Sequence, residues 1–286
     1  MAPLSKQQPR ITLKGLERTP LKPTGVLDAF ESFDVTPVIG REFPNASLKD
    51  FLSASNSDDL LRELALTISQ RGVVFFRKQD GLDDNLQKEL VQRLGELSGK
   101  PETSGLHIHP VVNSGREHGV TDDEISVSFL RLEVKFLDGL TATYAGPNFN
   151  DVAKKNGFEV HPGPRGAPEN VGGGGTIRGA PFTGWKSVFA VGNMVQKING
   201  VTDEESDHLL NWFLSLVVEN HDLQVRLRWQ NPNDLAICDN RSVFHAATSD
   251  HEGFGQRTGH RAVGLGERPY LDPNSTSRRE ALARDP

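Results

Sequence analysis

The residues with the most chemistry in them lie between Asn231 and Pro269. There the chain runs Asn231-Pro-Asn-Asp-Leu-Ala-Ile-Cys-Asp239-Asn240-Arg241-Ser-Val-Phe-His245 and, after a short interval, Arg257-Thr-Gly-His-Arg261. A neutral imidazole such as that of His245 is a good ligand for Fe(II), and non-haem oxygenases hold that ion with two histidines and one carboxylate. A planar guanidinium grips a carboxylate through two parallel hydrogen bonds, so Arg257 and Arg261 suit a small organic anion. Alternation along a strand puts Arg257, Gly259 and Arg261 on one face, and a histidine on the neighbouring antiparallel strand can share their cavity. Asp239 and Arg241 read as local stabilisers of the turn that precedes the histidine.

Each of these has a plainer reading. His245 also fits a hydrogen-bonded core histidine, and Arg257 and Arg261 also fit strand residues paired with Glu252 or Glu267. His107-x-His109 would set both imidazoles on one face of a strand as substitute metal ligands, or they are loop histidines with solvent or backbone partners. The run Gly172–Gly175 invites comparison with a phosphate loop, but no Gly-Lys-[Ser/Thr] follows it, and its composition predicts a flexible linker.

The elements that must position these groups are legible to different degrees. Ser57–Gln70 places Leu60, Leu61, Leu64 and Ile68 on one helical face, Gly72 stops it, and Val73–Phe76 reads as a buried strand. Leu82–Leu97 is a second amphipathic helix with Leu86, Leu90, Val91 and Leu94 on one side. Thr202–Asn220 is the strongest helix: Thr202 and Glu205 form a capping box, and Leu209, Leu210, Phe213, Leu216 and Val217 make the apolar stripe. Weaker strands are expected at Thr141–Tyr144 and Phe158–His161. Strand-like runs follow at Leu223–Trp229, Leu235–Cys238, Ser242–His245 and Gly259–Leu265. Short strands separated by turn residues suggest a jelly roll or barrel. Residues 1–37, rich in Pro, Lys and Thr, read as an extended or partly ordered arm, 38–270 as one domain and 271–286 as a tail.

The bulk composition narrows the partners. With 32 Lys and Arg against 38 Asp and Glu, a net charge of −6 argues against nucleic-acid and membrane-surface binding and favours a small molecule. The single cysteine, Cys238, rules out an intramolecular disulfide and a CxxC metal site, and suits a reducing compartment. No run is long and apolar enough for a membrane span, and the polar start lacks a secretion signal, so a soluble, cytoplasmic protein is expected.

On Asp239-Asn240-Arg241, His245, Arg257 and Arg261 the chain resembles the taurine dioxygenase-type (TauD/TfdA-like) Fe(II)/2-oxoglutarate-dependent dioxygenases. Gly264-Leu-Gly-Glu-Arg-Pro269 is similar to that family's final strand and turn, Gly72–Arg77 resembles its early strand, and Leu106–Pro110 a segment leading towards the active site. The resemblance implies a mainly β fold with flanking helices, the double-stranded β-helix or jelly roll. It implies His245 as the distal iron ligand, Arg257 as the 2-oxoglutarate anchor and Arg261 as a residue facing the substrate anion. The cofactors would be Fe(II) and 2-oxoglutarate. O₂ and a small anionic substrate (a sulfonate such as taurine, a related acid or a secondary metabolite) would be the partners, and the reaction a hydroxylation. No residue is assigned as a general acid or base.

The sequence departs from the family in one respect. Members carry a His-x-Asp or His-x-Glu pair on an early core strand, supplying two of three iron ligands. None of the nine histidines here has a carboxylate two residues on. The missing strand, and a Gly-Gly-Asp-Thr-type segment that helps to hold 2-oxoglutarate, would fall at the joins Val127–Ser128 and Glu133–Val134. Substitute ligands just before the first join are His107, His109, His118, Asp122, Asp123 and Glu124. A jelly roll short of core strands has open edges for a second copy to pair with, so a homo-oligomer is expected. The alternative to a dioxygenase is a catalytically inactive relative that keeps the anion pocket as a binding or scaffold module.

Overall fold

The computed structural model describes residues 20–100, 102, 105–107, 125–127, 141–144, 155, 174–175, 177–179, 183–188, 191–192, 195–246, 248, 259–265 and 275–284. The apolar spacing of the first half produces a short helix α1 (Leu48–Ser53), capped by the Ser47 hydroxyl accepting from the Asp50 N–H, and a long helix α2 (Ser57–Arg71). Leu61 and Leu64 of α2 are wholly buried, as the sequence pattern requires. α2 ends at Gly72, whose φ of 75° is open to glycine at little cost. Strand β3 (Val73–Phe76) leaves directly from that turn.

β3 is one of the two inner strands of a four-stranded sheet with β1 (Phe33–Asp34), β2 (Arg41–Phe43) and β10 (Leu235–Cys238), in the order β1-β2-β3-β10. β2 runs parallel to β3 and β10 antiparallel, with Leu235 opposite Phe76 and Cys238 opposite Val73. The pairing carries the chain's last third back against its first. Helix α3 (Asp84–Leu97), capped by the Asp83 carboxylate accepting from the Leu86 N–H, closes the other side through Leu90 and Leu94. Phe76 stacks on Phe43 at 5.2 Å and meets Phe51 edge-on at 6.2 Å, which fixes α1 against the sheet.

A second core lies beneath helix α4 (Asp203–Val218). Its capping box is formed as the sequence predicts: the Glu205 N–H donates to the Thr202 hydroxyl and the Thr202 N–H to the Glu205 carboxylate. Phe213 and Val217 are the most deeply buried residues of the predicted stripe. Phe213 covers β5 (Thr141–Tyr144) and β9 (Val195–Asn199), which pair antiparallel, and Val188 of β8 (Lys186–Val188), the partner of β7 (Ile177–Gly179). The remaining pair joins β4 (Ile125–Val127) to β11 (His260–Ala262), with Arg261 opposite Ser126. A last helix, α5 (Arg278–Arg284), follows a single bridge between Trp185 and Thr276.

Three expectations are corrected. Gly174–Gly175 is not linker but strand β6, paired antiparallel with Thr141 and Ala142 of β5; the partner's backbone groups impose the extended form that the composition argued against. Leu223–Trp229 alternates apolar residues yet has no ladder among the described residues. It opens as a 3-10 turn at His221–Leu223 and leaves Trp229 50% exposed. Ser242–His245 is a turn followed by irregular chain, because the N–H groups of Ser242 and Val243 return to the Asp239 carbonyl and are lost to any ladder. The strand in Gly259–Leu265 is shorter than the run, with a separate bridge at Gly264. Phe158–His161 lies outside the described residues.

Candidate functional site

His245 owes its place to the hydrogen bonds gathered on Asp239. At the end of β10 the Asp239 N–H donates to the Gly72 carbonyl, tying the turn to the end of α2. The Asp239 carboxylate accepts from Nε of Arg241 at 2.8 Å, from the Arg241 backbone N–H at 3.0 Å and from the Ser69 hydroxyl at 2.9 Å. Burial opposes this carboxylate's charge, but the Arg241 guanidinium and the Ser69 hydroxyl outweigh it and hold the group down to about 2. Val243 then packs against Gly72 from one side, while Phe244 packs into the second core. His245 follows immediately, at the seam between the two cores.

Arg261 reaches the same seam from β11. α3 flanks this strand: the Asp84 carboxylate meets the His260 ring at 2.7 Å, and Val91 lies beneath Gly264. Beyond β11 the segment Gly105–His107 runs alongside, with Leu106 bridging Gly264 and the His107 N–H donating to the Val263 carbonyl at 2.7 Å. Arg261 and Val263 share a strand face, and His107 lies opposite Val263, so His107 and Arg261 project to the same side.

Arg261 thus lies near enough to His107, Cys238 and His245 for its charge to act on each, the four residues coming from three separate stretches of chain. Cys238 Sγ lies 3.8 Å from Nδ1 of His245. Partial burial, and after it the Arg261 charge, push His245 down to about 4 and His107 below its ordinary value. Both imidazoles are neutral at pH 7. Burial and the Asp239 carboxylate push the Cys238 thiol up to about 11, so it stays protonated. Burial also lowers Arg261 from its ordinary value, and it remains a cation.

The predicted residues His245, Arg261 and His107 thus belong to one cluster. Arg257 and His109 lie outside the described residues, as do His118, Asp122, Asp123 and Glu124. Sequence reasoning passed over Cys238 as a neighbour of His245, although its place at the end of the strand feeding the Asp239 turn points there. Neutral imidazole suits Fe(II), but the described members of the cluster are two imidazoles, a protonated thiol and a guanidinium, with no carboxylate. Among the described residues no three His, Cys, Asp or Glu side chains gather closely enough to hold a metal ion. These residues alone do not fit an iron site; they fit the grip on an organic anion. None of the described helices is long and apolar enough to cross a membrane.

Residues 135–263 match the family model described as taurine catabolism dioxygenase TauD, TfdA family. The chain is 47% identical to the α-ketoglutarate-dependent dioxygenase btcD of Neocamarosporium betae, covering 93% of this chain and 99% of that protein. It is 43% identical to the α-ketoglutarate-dependent dioxygenase oryG of Aspergillus oryzae, over 92% of this chain and 96% of that protein. An α-ketoglutarate-dependent sulfonate dioxygenase of Saccharomyces cerevisiae is 27% identical over 83% of this chain and 67% of its own length. Among solved structures, a taurine dioxygenase from Burkholderia xenovorans superposes with a TM-score of 0.55 at 20% identity, over 89% of this chain and 98% of that one. The alignment with btcD runs over 344 positions and that with oryG over 328, against 286 residues here. By subtraction, at least 58 and 42 positions of those relatives have no counterpart in this chain. The fold is the jelly roll of the taurine dioxygenases with flanking helices, and the chain belongs to the TauD/TfdA family of α-ketoglutarate-dependent dioxygenases.

Proposed function

We propose that the seam around Arg261 and His245 is a 2-oxoglutarate-dependent dioxygenase site for a small anionic substrate. The observation that carries this reading is the convergence of Arg261, His107 and His245 from separate stretches of the chain. A partly buried guanidinium supplies fixed positive charge for a carboxylate or sulfonate, and burial, with its field added, keeps the neighbouring imidazoles unprotonated. In this reading His245 is a metal ligand, Arg257 anchors the far carboxylate of 2-oxoglutarate, and Arg261 faces the substrate's anionic group. His107 and His109 are the substitute ligands. Fe(II), if held by His245 together with ligands beyond the described cluster, would supply O₂ activation coupled to the oxidative decarboxylation of 2-oxoglutarate. The sulfonate named for the yeast relative makes sulfonates the first substrates to try.

The test is succinate formation from 2-oxoglutarate with Fe(II), ascorbate and a panel of small sulfonates and carboxylic acids. Arg261→Ala should raise KM for the anionic substrate at least tenfold, the cost of about 1.4 kcal/mol when one charge-assisted contact is lost. A panel that yields no succinate, with no 2-oxoglutarate binding, would sink the reading. A second reading, an inactive relative that keeps the anion pocket as a binding module, is favoured by the lack of any His-x-Asp or His-x-Glu in the 286 residues. Binding of 2-oxoglutarate without turnover would select it.

A further inference from the structure

We infer that Cys238 and Asn240 together fix the proton of the neutral His245 ring on Nδ1, so that Nε2, the nitrogen turned away from the sulfur, keeps a bare electron pair. This deepens the proposed function and rests on its placing of His245 in the site.

Three side chains on one stretch of chain form a short relay. The S–H of Cys238 donates to Oδ1 of Asn240 at 3.6 Å, and Sγ lies 3.8 Å from Nδ1 of His245. A thiol has one proton to give. It keeps that proton at pH 7, because its ordinary value is about 8.5, and burial strengthens the hold. With the proton committed to Asn240, the sulfur meets the ring through its lone pairs. Two acceptors cannot satisfy each other, so Nδ1 carries the hydrogen and Nε2 carries none. A histidine in water prefers the opposite form, with the proton on Nε2. The relay reverses that default.

The Asp239 turn builds the relay. The Ser242 and Val243 N–H groups donate to the Asp239 carbonyl, and the Asp239 N–H donates to the Gly72 carbonyl. The chain doubles back between Asn240 and His245, and the ring returns to the sulfur at the end of β10. A neutral imidazole lends its electron pair through whichever nitrogen is bare, and the partner of the other nitrogen decides which that is. Cys238 is therefore a positioning residue for His245: it selects the ring form whose Nε2 can accept, while Arg261 supplies the positive charge for an anion.

The experiment is a long-range 1H–15N correlation spectrum of the 15N-labelled, metal-free 286-residue chain. It is recorded at about pH 7.5, where a histidine is neutral. His245→Gln assigns the ring by the signals it removes. The expected spectrum shows a protonated Nδ1 and a bare Nε2. Cys238→Ala should shift the tautomer ratio towards Nε2–H by about fivefold, the worth of one ordinary hydrogen bond, and thermal unfolding checks that the variant is folded. Nε2–H as the main form in the unaltered chain overturns the inference. An unchanged ratio in folded Cys238→Ala overturns it too. If that variant does not fold, Asn240→Ala takes its place: it releases the S–H to Nδ1 and should move the ratio the same way, and an unchanged ratio there is equally fatal. Failure of the proposed function reads differently, as no 2-oxoglutarate binding and no succinate with the Nδ1–H form of His245 intact.

Discussion

Gly72 and Val243 approach so closely that a β-carbon on Gly72 would lie 2.5 Å from Cγ1 of Val243 and 3.4 Å from Cγ1 of Ile39. The contact joins the end of α2 to the residue two before His245. It exists because Asp239 hooks onto the Gly72 carbonyl and brings the following turn down on the glycine.

Gly72→Ala meets two penalties there. The φ of 75° costs a non-glycine residue about 1 kcal/mol or more, and the overlap with Val243 adds about 1–3 kcal/mol of overpacking. Thermal unfolding should show a loss of about 2–4 kcal/mol. Gly72→Ala combined with Val243→Ala should recover part of it, since the second change removes the overlap and leaves the backbone strain. Equal stability of the single and double variants would show that the overlap is relieved elsewhere.

The Asp239 carboxyl makes stability depend on acid. Its folded value, held down to about 2, lies below the ordinary carboxylate range near 4. A group depressed in the folded state stabilises above its unfolded value and loses that contribution as pH falls through the folded one. The window is therefore from about 4 down to about 2, and the contribution at neutral pH is on the order of 2 kcal/mol. Urea unfolding from pH 7 to 2 should show stability falling through this window. Asp239→Asn should be less stable at pH 7 and flatter across the window; an unchanged slope would refute the assignment.

Much of the first half was legible because its signals are local. The spacing of Leu60, Leu61, Leu64 and Ile68, the Gly72 stop and the apolar run to Phe76 specify α2 and β3 without reference to distant chain, and the capping box does the same for α4. The errors fell where a distant partner decides. Gly174 and Gly175 become strand only because β5 offers its free edge, and Leu223–Trp229 fails to become strand for want of such an edge among the described residues. The candidate site was half legible. Residue types marked His245, Arg261 and His107, but only the bridge from Leu106 to Gly264 brings His107 beside Arg261. Nothing in the sequence spacing encodes that bridge.

The Thr202 cap governs how firmly α4 seals the second core. Thr202→Ala removes the acceptor for the Glu205 N–H and half of a reciprocal pair, at a cost of about 1 kcal/mol. Two contacts make the helix start worth fixing: the Ile198 N–H donates to the buried Ser206 hydroxyl at 2.8 Å, and Phe213 is wholly buried. Calorimetry should show a fall in Tm of about 2–4 °C. Thr202→Ser, which keeps the hydroxyl, should fall by clearly less; equal losses would trace the effect to the methyl group.

Arg77 holds together three stretches of chain, and its replacement should be the most damaging of these changes. Its guanidinium grips both oxygens of Glu42 at 2.7 and 2.8 Å, the Asp234 carboxylate at 2.8 Å and the Arg228 carbonyl at 2.9 Å. The Asp234 side chain is fully enclosed, and Arg77 is 9% exposed. Burial opposes the Asp234 charge, but the Gln230 N–H, Arg77 and the N–H groups of Lys78 and Asn231 hold its carboxyl far below the usual range. Arg77→Ala strands two carboxylates and should cost about 3–5 kcal/mol. Arg77→Lys should rescue only part, because one ammonium cannot meet acceptors laid out for a planar fork. Asp234→Asn in the Arg77→Ala background should then restore stability, since it removes one stranded charge. If the double variant is instead less stable than Arg77→Ala alone, the carboxylate's own backbone hydrogen bonds outweigh its isolation.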